Sequence, residues 1–130
     1  MILRMLENPA QMLLQTAQNK KLEPRFVPDR TFGCSVTLAG YGYPYVQIQG
    51  PQLPIEVAAS VDCDLWWNEV TCEGDGQLLT TGHRIADVVA IGHDLDQAIA
   101  KAYSNILKIR SLGSYYRQDI GKSLWPPGNE

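Results

Sequence analysis

The residues best suited to chemistry lie in two short polar stretches, Thr80-Thr81-Gly82-His83-Arg84 and Tyr116-Arg117-Gln118-Asp119-Ile120-Gly121. An arginine at a junction between strands presents a rigid fork of N–H donors that matches a carboxylate or a phosphate. Arg84 has that setting, with Gly82 and His83 beside it. Asp119 can orient Arg84 or Arg117, and an internal arginine–aspartate pair that fixes the C-terminal segment suits the same residues equally well.

Other groupings read as structural, so no catalytic residue and no metal ligand is assigned. His83 and His93 are the only histidines. Along one strand the ten steps between them span roughly 33 Å, too far to share a metal. Cys34, Cys63 and Cys72 contain no Cys-x-x-Cys pair to complete a zinc set. Asp62, Asp64, Glu69, Glu73 and Asp75 read as solvated loop and sheet-edge carboxylates, because Trp67 stands where a calcium loop starting at Asp62 needs glycine. Cys34 has no histidine near it in sequence to activate it and reads as a buried, inert thiol. Trp66 and Trp67, adjacent in a strand, face opposite sides, so one packs in the core and the other covers an edge or interface. Gly40-Tyr41-Gly42 has only the first spacing of a dinucleotide-binding loop and lacks its third glycine.

The two polar stretches need elements to hold them. Leu3, Leu6, Ala10, Leu13, Leu14 and Ala17 recur at helical steps, and with Asn8 as cap and Pro9 in the first turn the helix runs from about Pro9 to Asn19. An extended connector with Pro24 and Pro28 follows. Strands are expected over 31–38, 45–48, 55–58, 65–71, 77–81 and 85–91, with residues 73–76 forming a hairpin loop. The clearest helix starts at Asp94, with Gln97 reaching back to the cap. Its apolar stripe is Leu95, Ala98, Ile99, Ala102, Ile106 and Ile109, and Gly113 lies beyond its end. Helix, short strands, helix is the order of an α+β domain: a mainly antiparallel sheet with packed helices.

Length and composition agree with one such domain. The chain has 130 residues, 45% hydrophobic and 19% charged, which suffices for a single core. Residues 1–125 form that domain and 126–130 a flexible tail. Eleven Lys and Arg against fourteen Asp and Glu give a net charge of −3, so no excess of positive charge favours a nucleic-acid partner. Val88-Val89-Ala90-Ile91, the longest apolar run, falls far short of the roughly 20 residues that cross a membrane. Arg4 and Glu7 interrupt the apolar start, which leaves no secretion signal. Three unpaired-looking thiols suit a cytoplasmic setting, with their redox state open.

The polar stretches also carry a family resemblance. Thr80 to Ile85, then Val89-Ala90-Ile91-Gly92, the helix with Ala98, Ala102 and Tyr103, Lys108-Ile109-Arg110, and Tyr116 to Gly121 together resemble the C-terminal domain of phosphoribosylamine–glycine ligase. Gly42-Tyr43-Pro44 is similar to that family's glycine-tyrosine-proline turn. The resemblance covers most of residues 3–121 and is strongest after Leu79. It departs at His83, where the family usually has a second glycine, at Gln118, where it usually has a second basic residue, and over residues 45–67.

The resemblance implies an ATP-grasp ligase of purine biosynthesis, in which ATP and Mg²⁺ (or Mn²⁺) activate glycine for attack by phosphoribosylamine. It implies that the metal ligands and most ATP contacts belong to a preceding domain, so that no cofactor binds this chain itself. The expected partners are the absent N-terminal and ATP-grasp domains and the small-molecule substrates. Gly82, His83 and Arg84 are then expected to face substrate, and Arg117 and Asp119 to hold the C-terminal segment. The alternatives are a free-standing binding module derived from that domain and the closing domain of another carboxylate–amine ligase.

Overall fold

The computed structural model describes residues 5–27, 31–45, 52–58 and 60–122. The described elements are α1 (Pro9–Ala17), β1 (Phe32–Ala39), β2 (Pro54–Val57), β3 (Asp64–Trp67), β4 (Val70–Cys72), β5 (Leu78–Thr80), β6 (Arg84–Gly92), α2 (Leu95–Ile106) and β7 (Ile109–Arg110). All the strand pairings are antiparallel and form two sheets, β1-β6-β3 and β4-β5-β2-β7. The α+β architecture is the one expected. The strand expected at 45–48 and the tail at 126–130 fall almost wholly outside the described residues.

β6 is the central strand of the first sheet because it is the one whose residues can be buried on both faces. Ile85, Ala86, Val88, Val89 and Ala90 are all buried. β1 runs alongside it in regular register from Phe32↔Gly92 to Leu38↔Ala86. Its alternation sends Cys34, Val36 and Leu38 to the face that also carries Ala86, Val88 and Ala90. That face receives Ala98, Ala102 and Ile106 of α2, each fully buried. Small residues on the helix let its axis come close. At Gly92, where β6 turns into α2, an added Cβ would lie 2.6 Å from the Ala98 backbone nitrogen.

The start of α2 is fixed by reciprocal caps. Asp94 accepts the Gln97 N–H at 2.7 Å, while the Gln97 side chain accepts the His93 N–H, also at 2.7 Å. Inside the core Asn105 is 2% exposed, and every bond it makes is structural. Its oxygen accepts from the Asp62 N–H at 2.9 Å and from Lys108 Nζ at 3.0 Å, and its nitrogen donates to the Lys101 carbonyl at 2.8 Å. The loop before β3 is thereby tied to the helix.

Three expectations are corrected. α2 ends at Ile106, and Ile109 belongs to β7, paired with Val57, where it is buried in the same core. Gly113, at φ 72°, therefore serves a later turn and does not stop the helix. The strand expected over 65–71 is two strands in different sheets. At Asn68 and Glu69 the chain leaves β6 for β5: the Asn68 and Glu69 N–H groups still donate to Ile85 and Arg84, whereas the Glu69 carbonyl accepts from Thr81. α1 has the expected start at Pro9, but it ends at Ala17 and buries none of its residues. Leu13 and Leu14 stay 60% and 58% exposed.

Gly92→Ala is expected to destabilise the domain by about 2 kcal/mol, because backbone must move to admit the methyl group. Gly74→Ala, where an added Cβ meets nothing within 4 Å, is expected to leave the urea midpoint unchanged. Equal midpoints for the two variants would contradict the close approach.

Candidate functional site

Three stretches far apart in sequence meet where β1 ends and β6 begins. A one-residue register shift separates Leu38↔Ala86 from Ala39↔Arg84, so Ile85 has no partner across the ladder. Such a bulge bends the strand and re-aims the side chains beyond it. The turn before it, residues 81–83, then meets the turn after β1: the Gly40 N–H donates to the His83 carbonyl at 2.7 Å, and His83 Nδ1 lies 3.2 Å from the Tyr41 carbonyl oxygen. The C-terminal stretch joins through a two-way bridge between Ala39 and Tyr115, 2.8 Å in each direction. The Tyr115 hydroxyl also donates to the Tyr43 carbonyl, beside the cis Tyr43–Pro44 peptide bond.

The sequence-derived site residues sit here as follows. Arg84 is exposed and Gly82 and His83 are partly buried. Asp119 pairs with Arg117. The Arg117 Nε and one terminal nitrogen donate to the two oxygens of Asp119 at 2.9 and 2.6 Å. The shared hydrogen bonds push the Arg117 pKa up and that of Asp119 down. Both side chains are largely exposed, so the pair shapes its own loop and contributes little to overall stability. What fastens that loop to the helix is Tyr103 of α2. Its hydroxyl donates to the Arg117 carbonyl at 2.8 Å and accepts the Ile120 N–H at 3.0 Å, and its ring meets Tyr116 at 6.0 Å between centroids.

A cavity of about 460 Å³ beside β1 is lined by Ser35, Thr37, Tyr43, Tyr115, Tyr116 and Arg117, and Gly82, His83 and Arg84 do not line it. Farther along the same sheet Asp87 is held by Thr37 of β1 at 2.5 Å and by Asn68, the residue after β3, at 3.1 Å. His93 lies at the opposite end of β6 from His83. Among the described residues no group of three His, Cys, Asp or Glu could hold a metal ion. The cysteines are free. Burial pushes the thiol pKa values of Cys34 and Cys63 up, away from nucleophilic chemistry.

Sequence reasoning missed Glu69, which it read as a solvated carboxylate. Its Oε2 accepts the His83 N–H at 2.5 Å and the Arg84 N–H at 2.9 Å. These bonds, that of Arg84 foremost, hold its carboxyl below the usual glutamate range. Whatever this contact adds to stability is complete above the unfolded pKa and is lost as pH falls through the lower, folded one. No local pattern around Glu69 betrays this role, because its partners lie fourteen and fifteen residues away.

Residues 33–123 match the family described as phosphoribosylglycinamide synthetase, C domain. Over 123 residues the chain is 32% identical to the phosphoribosylamine–glycine ligase of Synechocystis sp., covering 92% of this chain and 29% of that protein. The Pseudomonas aeruginosa ligase is 35% identical over 120 residues, covering 89% of this chain and 27% of its own length. The crystal structure of the Thermotoga maritima ligase superposes with a TM-score of 0.68 at 31% identity, over 88% of this chain and 28% of that one. The fold is thus that of a C-terminal domain of a ligase. The chain belongs to the phosphoribosylglycinamide synthetase C-domain family, and it spans under a third of the length of these relatives.

Tyr103→Phe removes one acceptor and one donor from the C-terminal loop. It is expected to cost about 1 kcal/mol and to speed hydrogen exchange at the Ile120 amide, with the Val88 amide unaffected. Unchanged exchange at Ile120 would show that the loop is held by other contacts.

Proposed function

We propose that this chain works as the closing domain of a cytoplasmic phosphoribosylamine–glycine ligase, an enzyme that uses ATP to join the glycine carboxylate to the amine of phosphoribosylamine. The observation that carries this reading is the convergence of Gly40–Pro44, Gly82–Arg84 and Tyr115–Arg117 at one sheet end, in a chain that matches the ligases along their C-terminal domain. An exposed arginine on a turn fixed at both flanks is suited to a carboxylate or phosphate, and both anions occur among the proposed substrates. Gly82, His83 and Arg84 are accordingly the residues assigned to face substrate, while Arg117 and Asp119 keep the C-terminal loop in shape.

The described residues do not fit Mg²⁺ or Mn²⁺, since no set of donors is gathered for it. The family resemblance assigns ATP and the metal to the preceding domains, and no step at the metal is ascribed to this chain. Leu13 and Leu14, exposed on a helix that buries none of its residues, provide an apolar side suited to docking on those domains.

A chimera in which residues 1–130 replace the corresponding C-terminal part of the Pseudomonas aeruginosa ligase tests the reading. It is expected to form glycinamide ribonucleotide. The isolated chain is expected to form none, and Arg84→Ala in the chimera is expected to lower kcat/KM about 10- to 100-fold, as loss of a charged hydrogen bond implies. A folded but inactive chimera, or full activity with Arg84→Ala, would contradict the assignment and favour a binding module.

A further inference from the structure

Glu69 belongs to none of the three stretches that converge at the sheet end, yet its carboxylate grips one of them. Successive backbone N–H groups aimed at one point form a concave receptor for an anion. The His83 and Arg84 N–H groups make such a receptor, and an oxygen of Glu69 fills it. The backbone of Glu69 is held as firmly, its N–H donating to the Arg84 carbonyl at 2.9 Å and its carbonyl accepting from Thr81 at 2.8 Å. The side chain is thus anchored on both sides of the turn that it caps.

Gly82 gives independent support. Its φ lies outside the left-handed region, so backbone freedom does not explain a glycine here. Space does: a Cβ at this position would collide with the Glu69 carboxylate and crowd its Cβ. The carboxylate therefore lies directly over the turn, against a residue with no side chain. The charged groups that act on it are His83 and Arg84, both in the segment it holds.

We infer that Glu69 is a positioning residue, which fixes the His83 and Arg84 backbone so that the Arg84 guanidinium is aimed at the anionic group of the substrate. The inference rests on the reading of Gly82–Arg84 as the substrate-facing turn. Glu69 itself touches no substrate in this account. It acts through the two amides.

Two measurements test it. In ¹⁵N-labelled chain the His83 and Arg84 amide signals are expected to shift together on acidification, with one midpoint below that of an ordinary glutamate. Glu69→Gln should abolish that titration while keeping both signals near their places, since its carbonyl oxygen still accepts. Glu69→Ala should displace both. Amides that ignore Glu69→Ala would overturn the inference. In the chimera Glu69→Ala is expected to raise the KM for glycine or for phosphoribosylamine roughly tenfold with kcat nearly unchanged, as loss of aim at one anion implies, and Glu69→Gln to restore most of it. A silent Glu69→Ala beside a crippling Arg84→Ala would defeat the positioning role alone. Silence of both would defeat the substrate-facing assignment beneath it.

Discussion

The contact between α2 and the β1–β6 ladder constrains nearly everything else in this domain. Ala98, Ala102 and Ile106 reach zero exposure only because the helix lies close against Cys34, Val36, Val88 and Ala90, and Gly92 permits the chain to turn directly from strand to helix. From that seam the other parts take their positions. Asn105 draws in the loop before β3, Ile109 brings β7 and hence the second sheet to the core, and Tyr103 on the partly buried flank of the helix holds the C-terminal loop. Fixing one helix on one ladder thus places two separate loops and the second sheet.

The polar end of the sheet is the product of that placement. β1 and β6 are long and regular until Leu38↔Ala86, then shift register, and the two chains that leave the ladder there are tied to each other by backbone bonds. Tyr115 closes the third side. Main-chain groups join the turns, with the Glu69 carboxylate and the Tyr115 hydroxyl as side-chain partners. Arg84 is left exposed.

The sequence was most legible where local rules decide. The Asp94 cap, the stripe through Ala98 and Ala102, and the strand-forming run at 31–38 are properties of a few neighbouring residues, and all three appear in the structure. The polar stretches were legible as candidates because arginine, glycine and histidine at a strand junction are unusual, but their meeting point was not, since it depends on ladder register. The break between β3 and β4 was hidden for a related reason. No glycine or proline marks it, and it arises because one strand changes partners. Glu69 looked like any solvated acid for the same cause: its meaning lies in two amides supplied by another strand. The leucines of α1 show the opposite case, where a helical pattern is plain in sequence but Leu13 and Leu14 stay exposed.

The central claim is that one end of this sheet, together with the apolar side of α1, faces the rest of a ligase. Amide shift mapping tests it most directly: ¹⁵N-labelled chain is mixed with the Pseudomonas aeruginosa ligase from which the matching C-terminal part has been removed. The account predicts perturbed signals at Gly40–Tyr43, Gly82–Arg84 and Leu13–Leu14, and none around Gly92–Asp94 at the far end of β6. Perturbation centred on that far end, or none at a saturating concentration of the partner, would contradict it.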